Sequence, residues 1–209
     1  MKICIFIQAR YNSQRLKGKA LLRIKGTTLL EHVYRSVEKI NFKAKIVVLT
    51  STSKMDNKII NLCKEKKISF FRGPLNNVYK RFFLASKKFL PDVFIRINGD
   101  SPLIDAKIIN KMMKIFLKKK KYHIVTNCEK RSFPKGMSVE IINTKLFLEN
   151  LKNINDPFYK EHITKYFYKN KKKFRIFNVL NKKKFKLNSY VVDNIYDFNR
   201  ISKFIHEEI

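Results

Sequence analysis

Apolar residues follow two rhythms along this chain. Short continuous runs, rich in β-branched side chains, alternate with stretches in which apolar residues recur every three or four positions. The first rhythm predicts buried strands, the second amphipathic helices packed on them. Lys2–Ile7 reads as the opening strand, and Leu29, Leu30, Val33, Val37 and Ile40 mark the first helix. Lys45–Thr50 is the second strand. Ser51, Thr52 and Ser53 read as loop and helix cap near Asp56, ahead of a helix carrying Ile59, Ile60, Leu62 and Cys63. Ile68–Phe71 is a short third strand, followed by Val78, Phe82, Phe83 and Ala85 as core positions. Val93–Asn98 is the fourth strand, and Asp105 caps a helix built on Ile108, Ile109, Met112, Met113 and Phe116. Ile124–Asn127 is a fifth strand. A helix around Phe147, Leu148 and Leu151 gives way at Asn155-Asp156-Pro157. Phe174–Val179 reads as a strand, Lys182–Lys186 as a loop, and Leu187–Asp193 as the last strand, before a terminal helix with Phe198, Ile201, Phe204 and Ile205. Strands and helices alternating at this spacing imply parallel pairing with right-handed crossovers.

One connector breaks the pattern. A strand and the helix after it are usually joined by about 2–6 residues. The stretch after Ile7 is much longer, and it carries Arg10, Arg15, Lys17 and Lys19. A cationic loop at the carboxyl end of a first strand lies where open α/β sheets bind ligands. Guanidinium forks and ammonium groups suit a polyphosphate, and backbone N–H groups around Gly18 add to such a cradle. On charge alone the loop is an ordinary solvated one; its position in the fold is what favours a ligand. Neither the P-loop nor the dinucleotide glycine motif is present, since Ala20 follows Gly18-Lys19 and the glycine spacings are absent.

Composition narrows the classes. The chain has 209 residues, enough for one substantial core, and 44% hydrophobic residues argue against disorder. The net charge of +31 would ordinarily point to nucleic acid. The lysines, however, are scattered in short runs such as Lys118–Lys121, Lys171–Lys173 and Lys182–Lys184, which read as solvated helix faces and loops. A single-strand binder would interleave aromatics along a basic groove; here most aromatics fall at core spacing. Cys4, Cys63 and Cys128 share no metal-like spacing and are expected as reduced, buried thiols of a cytoplasmic protein. The apolar run at 3–7 is too short for a signal-peptide core, and no stretch approaches a membrane span, so no membrane insertion is expected.

Gln8-Ala9-Arg10, Ser13, Arg15-Leu16, Gly18-Lys19, Leu22, Gly26 and Leu29-Leu30-Glu31 together resemble the opening signature of the cytidylyltransferases that activate acidic sugars. That family includes the CMP-KDO and CMP-acylneuraminate synthetases, and the resemblance is nearest to its spore-coat polysaccharide branch. Further matches are Arg72-Gly73 with Val78 and Arg81-Phe82, Gly99-Asp100-Ser101-Pro102-Leu103-Ile104, Phe133-Pro134-Lys135-Gly136 with Val139-Glu140, and Glu161-His162-Ile163-Thr164. Departures are Lys17 where Pro is common, Asn77 and Ser138 where acidic residues are common, and Asn194-Ile195-Tyr196 in place of Thr-Pro-Glu.

The resemblance spans nearly the whole chain. It implies a three-layer α/β/α, Rossmann-like nucleotidyltransferase fold with a mostly parallel mixed sheet, and a homodimer. No repeat or linker divides residues 1–209, which read as a single domain. The implied reaction is transfer of CMP from CTP to an acidic sugar, with Mg²⁺ and release of pyrophosphate. The resemblance assigns Gln8, Ala9, Arg10, Ser13, Arg15, Lys19, Arg72, Asn77, Asn98 and Asp100 to the nucleotide, with Arg10, Arg15, Lys19 and Asp100 in catalysis. It assigns Asp100 and Asp193 to the metal, and Asn127, Lys135, Gly136, Glu140, Glu161 and His162 to the acceptor. Read from the residues alone, Asp100 is a strand-end metal ligand or a turn cap, Lys135 a ligand contact or plain surface charge, and Glu161 a contact or a group answering the field at the start of a helix. Two other functions stay open at this point: a nucleotidyltransferase with another donor or a non-sugar acceptor, and a non-catalytic relative that binds nucleotide or nucleic acid.

Overall fold

The structure, a computed structural model, describes residues 1–119, 121–181 and 185–208. The expected loop at Lys182–Lys186 therefore lies largely outside the described residues. In chain order the elements are β1 (Ile3–Gln8), β2 (Arg23–Ile24), β3 (Thr27–Thr28), α1 (Leu29–Glu38), β4 (Lys45–Ser51), α2 (Asn57–Glu65), β5 (Phe70–Gly73), α3 (Val78–Phe89), β6 (Val93–Asn98) and α4 (Ala106–Lys118). They continue as β7 (Ile124–Thr126), β8 (Glu140–Asn143), α5 (Thr144–Glu149), α6 (Pro157–Glu161), α7 (Lys165–Lys169), β9 (Ile176–Asn178) and α8 (Ile195–Glu208).

Seven strands form one sheet in the order β5-β4-β1-β6-β8-β7-β9. β5, β4, β1 and β6 run parallel; β8 is antiparallel to both neighbours, and β9 is parallel to β7. This is the expected mixed, mostly parallel sheet. Alternate side chains of the central strands enter two cores. Ile3, Ile5, Ile7, Val93, Ile95 and Ile97 pack with apolar residues of α1, α2, α4 and α8. Cys4, Phe6 and Phe94 pack with α3, α5 and α7 on the other face. The result is three layers, α/β/α, because a central parallel strand has no solvent face.

The chain order places a crevice. β1 is followed by β4 and β5 on one side of it, then by β6 on the other, so the winding reverses between β1 and β6. Ligands of open α/β sheets enter at the carboxyl ends of strands beside such a reversal. On the α3/α5/α7 face, both strands turn polar as they approach that end. Cys4 and Phe6 are followed by Gln8, and Phe94 by Arg96 and Asn98. Gln8 lies opposite Asn98 in the register, and Arg96 opposite both Phe6 and Glu140.

Two expectations of element type are overturned. Leu187–Asp193 is not a strand of the sheet. It makes one isolated bridge, Ser189 to Lys135, plus single backbone bonds from Tyr190 N to the Lys135 carbonyl and from Val192 N to the Asp100 carbonyl. Its alternating apolar residues are buried against a loop edge, which gives strand-like periodicity without a ladder. Glu161 and His162 do not open a helix. Glu161 ends α6 and His162 is its C-cap, while Asp156 and Pro157 begin it. The Asp-Pro pair that reads as a break is the N-cap and first helical residue of the next helix.

Candidate active site

The connector after β1 is held in shape before any ligand arrives. Tyr11 N donates to Asp56 Oδ1 at 2.7 Å, and Asp56 is itself buried and accepts from Ser51 N at 2.9 Å. The Tyr11 carbonyl accepts from Ser13 N and Gly18 N. Gly18 has φ +75°, and a Cβ there would sit 3.0 Å from the Tyr11 ring, so both backbone and space call for glycine. A single 3₁₀ turn, Lys19–Leu21, follows and sends the Lys19 side chain inward.

Lys19 Nζ donates to Asp100 Oδ2 (2.7 Å), Asp193 Oδ1 (2.9 Å) and the Val192 carbonyl (2.8 Å). Its side chain is 11% exposed. Arg15 pairs with the other oxygen of Asp193 at 2.9 Å and is itself largely exposed. Asp100 is carried on the turn after β6, with Ser101 Oγ donating to its other carboxylate oxygen. Asp193 is held beside it by the hydrogen bond from Val192 N to the Asp100 carbonyl. Just beyond it, Asp197 accepts from Asp193 N and Asn194 N, and Asn194 Oδ1 accepts from Asp197 N. That reciprocal cap starts α8 and fixes the approach of Asp193.

A cavity of about 420 Å³ opens over these groups. Gln8, Ala9, Arg10, Ser13, Arg15, Lys19, Asn98, Asp100 and Asp193 line it, as do Lys135, Gly136, Glu161 and His162. Arg10 and Glu161 form an ion pair across it at 3.1 Å, each about one-third exposed. Arg96, Arg131 and Ser138 also line it, and none of them was singled out from sequence as a site residue. Arg96 donates to Glu140 Oε2 at 2.7 Å and approaches Gln8 Oε1 at 3.3–3.4 Å. Glu140 takes a further hydrogen bond from the Tyr168 hydroxyl, which also meets Thr126 Oγ1 at 2.8 Å. Burial alone would raise the Glu140 carboxyl, but Arg96 and Tyr168 hold it below its ordinary value. Burial would lower Arg96, and Glu140 more than offsets this. The pair is therefore ionised, with the guanidinium facing the cavity and the carboxylate behind it.

The profile of the family described as cytidylyltransferase matches residues 3–205. The chain belongs to the cytidylyltransferase family. A solved cytidylyltransferase structure from Leptospira borgpetersenii superposes with a TM-score of 0.94 at 34% identity, covering 100% of this chain and 88% of that one. The spore coat polysaccharide biosynthesis protein SpsF of Bacillus subtilis is 29% identical over 171 residues, 78% of this chain and 69% of its own length. The 3-deoxy-manno-octulosonate cytidylyltransferase of Fusobacterium nucleatum is 32% identical over 126 residues, 60% of this chain and 51% of its own length. These similarities establish a nucleotidyltransferase enzyme without favouring one branch.

Several residues that the resemblance assigned to ligands are engaged within the fold of this cytidylyltransferase. Arg72 donates to the Ser51 and Ser53 carbonyls and braces the turn after β4, away from the cavity. Asn77 is the N-cap of α3, accepting from Lys80 N at 2.8 Å. Asn127 is fully buried; its amide donates to the Met137 carbonyl and accepts from Val139 N, so it stitches two segments together. Glu140 is 5% exposed on its side chain and lies behind Arg96, outside the residues that line the cavity. Gly136 lines the cavity, but its close approach is to backbone: a Cβ there would sit 2.5 Å from Tyr190 C. Cys128 is half-buried rather than buried, and burial together with Glu140 pushes its thiol up to about 11.

Among the described residues no group of three or more His, Cys, Asp or Glu side chains gathers as a metal site. Mg²⁺ does not require one, because it is commonly held by one or two carboxylates with phosphate oxygens and water completing the shell. Asp100 and Asp193 already converge on one cation, the Lys19 ammonium, so their donor set fits. Among the described residues no helix is long and apolar enough to cross a membrane.

Proposed function

We propose that this enzyme transfers CMP from CTP to a hydroxyl of an acidic sugar, with Mg²⁺, releasing pyrophosphate, in the synthesis of a surface glycan. The observation that carries the reading is the meeting of the Gln8–Lys19 loop with Asp100 and Asp193 at the mouth of one cavity. Similarity to the Fusobacterium 3-deoxy-manno-octulosonate cytidylyltransferase supports the donor and the acid sugar, and similarity to the Bacillus spore coat polysaccharide biosynthesis protein supports the glycan.

Residue roles follow from charge and position. Arg10, Arg15 and Lys19 take the triphosphate and the charge that develops on departing pyrophosphate. Gln8, Ala9, Ser13 and Asn98 shape the floor between phosphate and sugar. Arg96, with Lys135 and His162, meets the acceptor, the guanidinium edge facing its carboxylate. Glu140 holds Arg96 ionised and in register, and Glu161 holds Arg10. Asp100 and Asp193 would hold Mg²⁺, which when bound supplies positive charge to the phosphates and eases ionisation of the attacking hydroxyl. The acceptor oxygen bonds to the α-phosphorus as the α–β bridge breaks, and positioning with charge neutralisation suffices for such a step.

Pyrophosphate release is the test, with CTP, UTP, GTP and ATP each offered with a panel of acidic sugars. Release with CTP and an acidic acceptor is expected, lost with EDTA and reduced about 10²–10³-fold in Asp100→Asn, the scale for removing one electrostatic partner of a transition state. Near-wild-type turnover in that variant would defeat the assignment of Asp100.

A further inference from the structure

We infer that Lys19 is a tethered counter-ion: its ammonium occupies the cation position between Asp100 and Asp193 in the nucleotide-free enzyme, and withdraws when nucleotide and divalent cation enter together. An ammonium has three N–H donors and no acceptor. All three donors of Lys19 are spent, on Asp100 Oδ2, Asp193 Oδ1 and the Val192 carbonyl. The ammonium cannot also bind a phosphate without giving one of them up. The three oxygens that surround it are hard ligands of the kind Mg²⁺ prefers, so ammonium and metal compete for one place.

The geometry around Lys19 fits an exchange rather than a fixed salt bridge. With Arg15 on the far oxygen of Asp193, the cluster of Lys19, Arg15, Asp100 and Asp193 is electrically balanced. A divalent cation arriving alone would have to displace a bound charge into a cavity already rich in arginine and lysine. Arriving with a polyphosphate, it finds the ammonium a new partner. Metal and nucleotide affinity are then coupled, each raising the other by the same factor. The nucleotide-free enzyme binds the metal weakly, while the ammonium keeps the two carboxylates satisfied and the site preorganised. The inference rests on Asp100 and Asp193 being the metal ligands of the proposed reaction.

Mn²⁺ shares the oxygen preference of Mg²⁺ and is counted directly by EPR, so it is titrated into nucleotide-free protein. Lys19→Met should bind it at least about tenfold more tightly than wild type, the scale of one charge-assisted hydrogen bond. Adding Asp193→Asn should abolish the gain. Arg15→Met removes a charge from the same cluster without vacating the position, and should gain far less. Equal affinity in wild type and Lys19→Met, equal gains in Lys19→Met and Arg15→Met, or a gain that survives Asp193→Asn would overturn the inference. A second readout needs no destabilising variant. In ¹⁵N-labelled wild type the Lys19 ammonium, assigned by its loss in Lys19→Arg, should give a slowly exchanging signal. It should persist with Mg²⁺ and shift or vanish with Mg²⁺ and CTP; its absence from the free protein, or its loss with Mg²⁺ alone, would also overturn the inference. Pyrophosphate release decides the reaction separately: exchange without release keeps this inference and loses the reaction, and release with equal Mn²⁺ affinities does the reverse.

Discussion

Arg96 shows what a single residue can reveal when its neighbours are read with it. It is the one charge in Val-Phe-Ile-Arg-Ile-Asn, a central strand whose fully buried positions are all apolar. A charge in such a strand is almost never buried unless paired, so a partner and a reason were both implied. The signal was present in the sequence, but the partner, Glu140, lies 44 positions away and only strand pairing brings it alongside. Burying two charges costs several kcal/mol per ion, and an apolar pair would do as well for stability. The guanidinium faces the cavity, and the proposed contact with the acceptor would give the pair its purpose. Arg96→Lys should leave the KM for CTP unchanged and raise the KM for the acceptor about tenfold, since lysine keeps the charge and loses the planar fork. Steady-state kinetics with each substrate varied separates the two. Equal effects on both would place Arg96 in the scaffold instead. Asn77 and Asn127, polar residues inside the matched motifs, are engaged within the fold: Asn77 caps a helix and Asn127 binds buried backbone groups.

At the scale of elements, strands with continuous apolar runs were legible to within a residue or two. β6 begins and ends where the pattern says, because its Val-Phe-Ile start is buried on both faces and its polar residues come only towards the cavity end. Leu187–Asp193 failed because period-two burial does not require a ladder. The start of α1 was legible as part of the opening signature, and its physics is a complete capping box. Thr28 accepts from Glu31 N at 3.2 Å, and Glu31 accepts from Thr28 N at 2.9 Å. Burial alone would raise the Glu31 carboxyl, but the Thr28 hydrogen bonds, with Lys66, hold it below its ordinary value. A carboxyl depressed on folding contributes stability that is complete above its unfolded pKa and is lost as pH falls through the folded one. Thr28→Ala should therefore destabilise by about 1 kcal/mol at neutral pH. The gap to wild type should start to close as pH drops below the ordinary carboxyl value of 4.5. Urea unfolding at neutral and acid pH checks both. A gap that stays constant across that range would remove Glu31 from the account.

Over the whole molecule, the question is what a net charge of +31 does for an enzyme of small anions. Many of the rings that a single-strand binder could lay along a groove are instead packed into the core behind β1 and β6. Phe6, Phe82, Phe94, Phe147 and Phe167 are all fully buried, and Tyr79 stacks on Phe147 at 4.1 Å. Composition alone favours nucleic acid; the topology, legible from the alternation of strands and helices, points instead to one crevice where Arg10, Arg15, Lys19, Arg96 and Lys135 gather. A field of one sign around such a crevice raises the encounter rate with anionic ligands and is screened by salt. Between about 0.01 M and 0.15 M ionic strength the screening length shrinks from about 30 Å to about 8 Å. Across that range kcat/KM for CTP should fall several-fold while kcat holds, because the groups that act on bound nucleotide are within a few ångströms of it and are little screened. Random-sequence DNA, in contrast, should compete weakly near physiological salt, since lysines dispersed along the chain release few counter-ions at any one site. Stopped-flow or steady-state kinetics across the salt series, with and without DNA, makes the comparison. A salt-independent kcat/KM would show that the charge does not steer substrate, and tight DNA inhibition at physiological salt would show that it serves a second ligand instead.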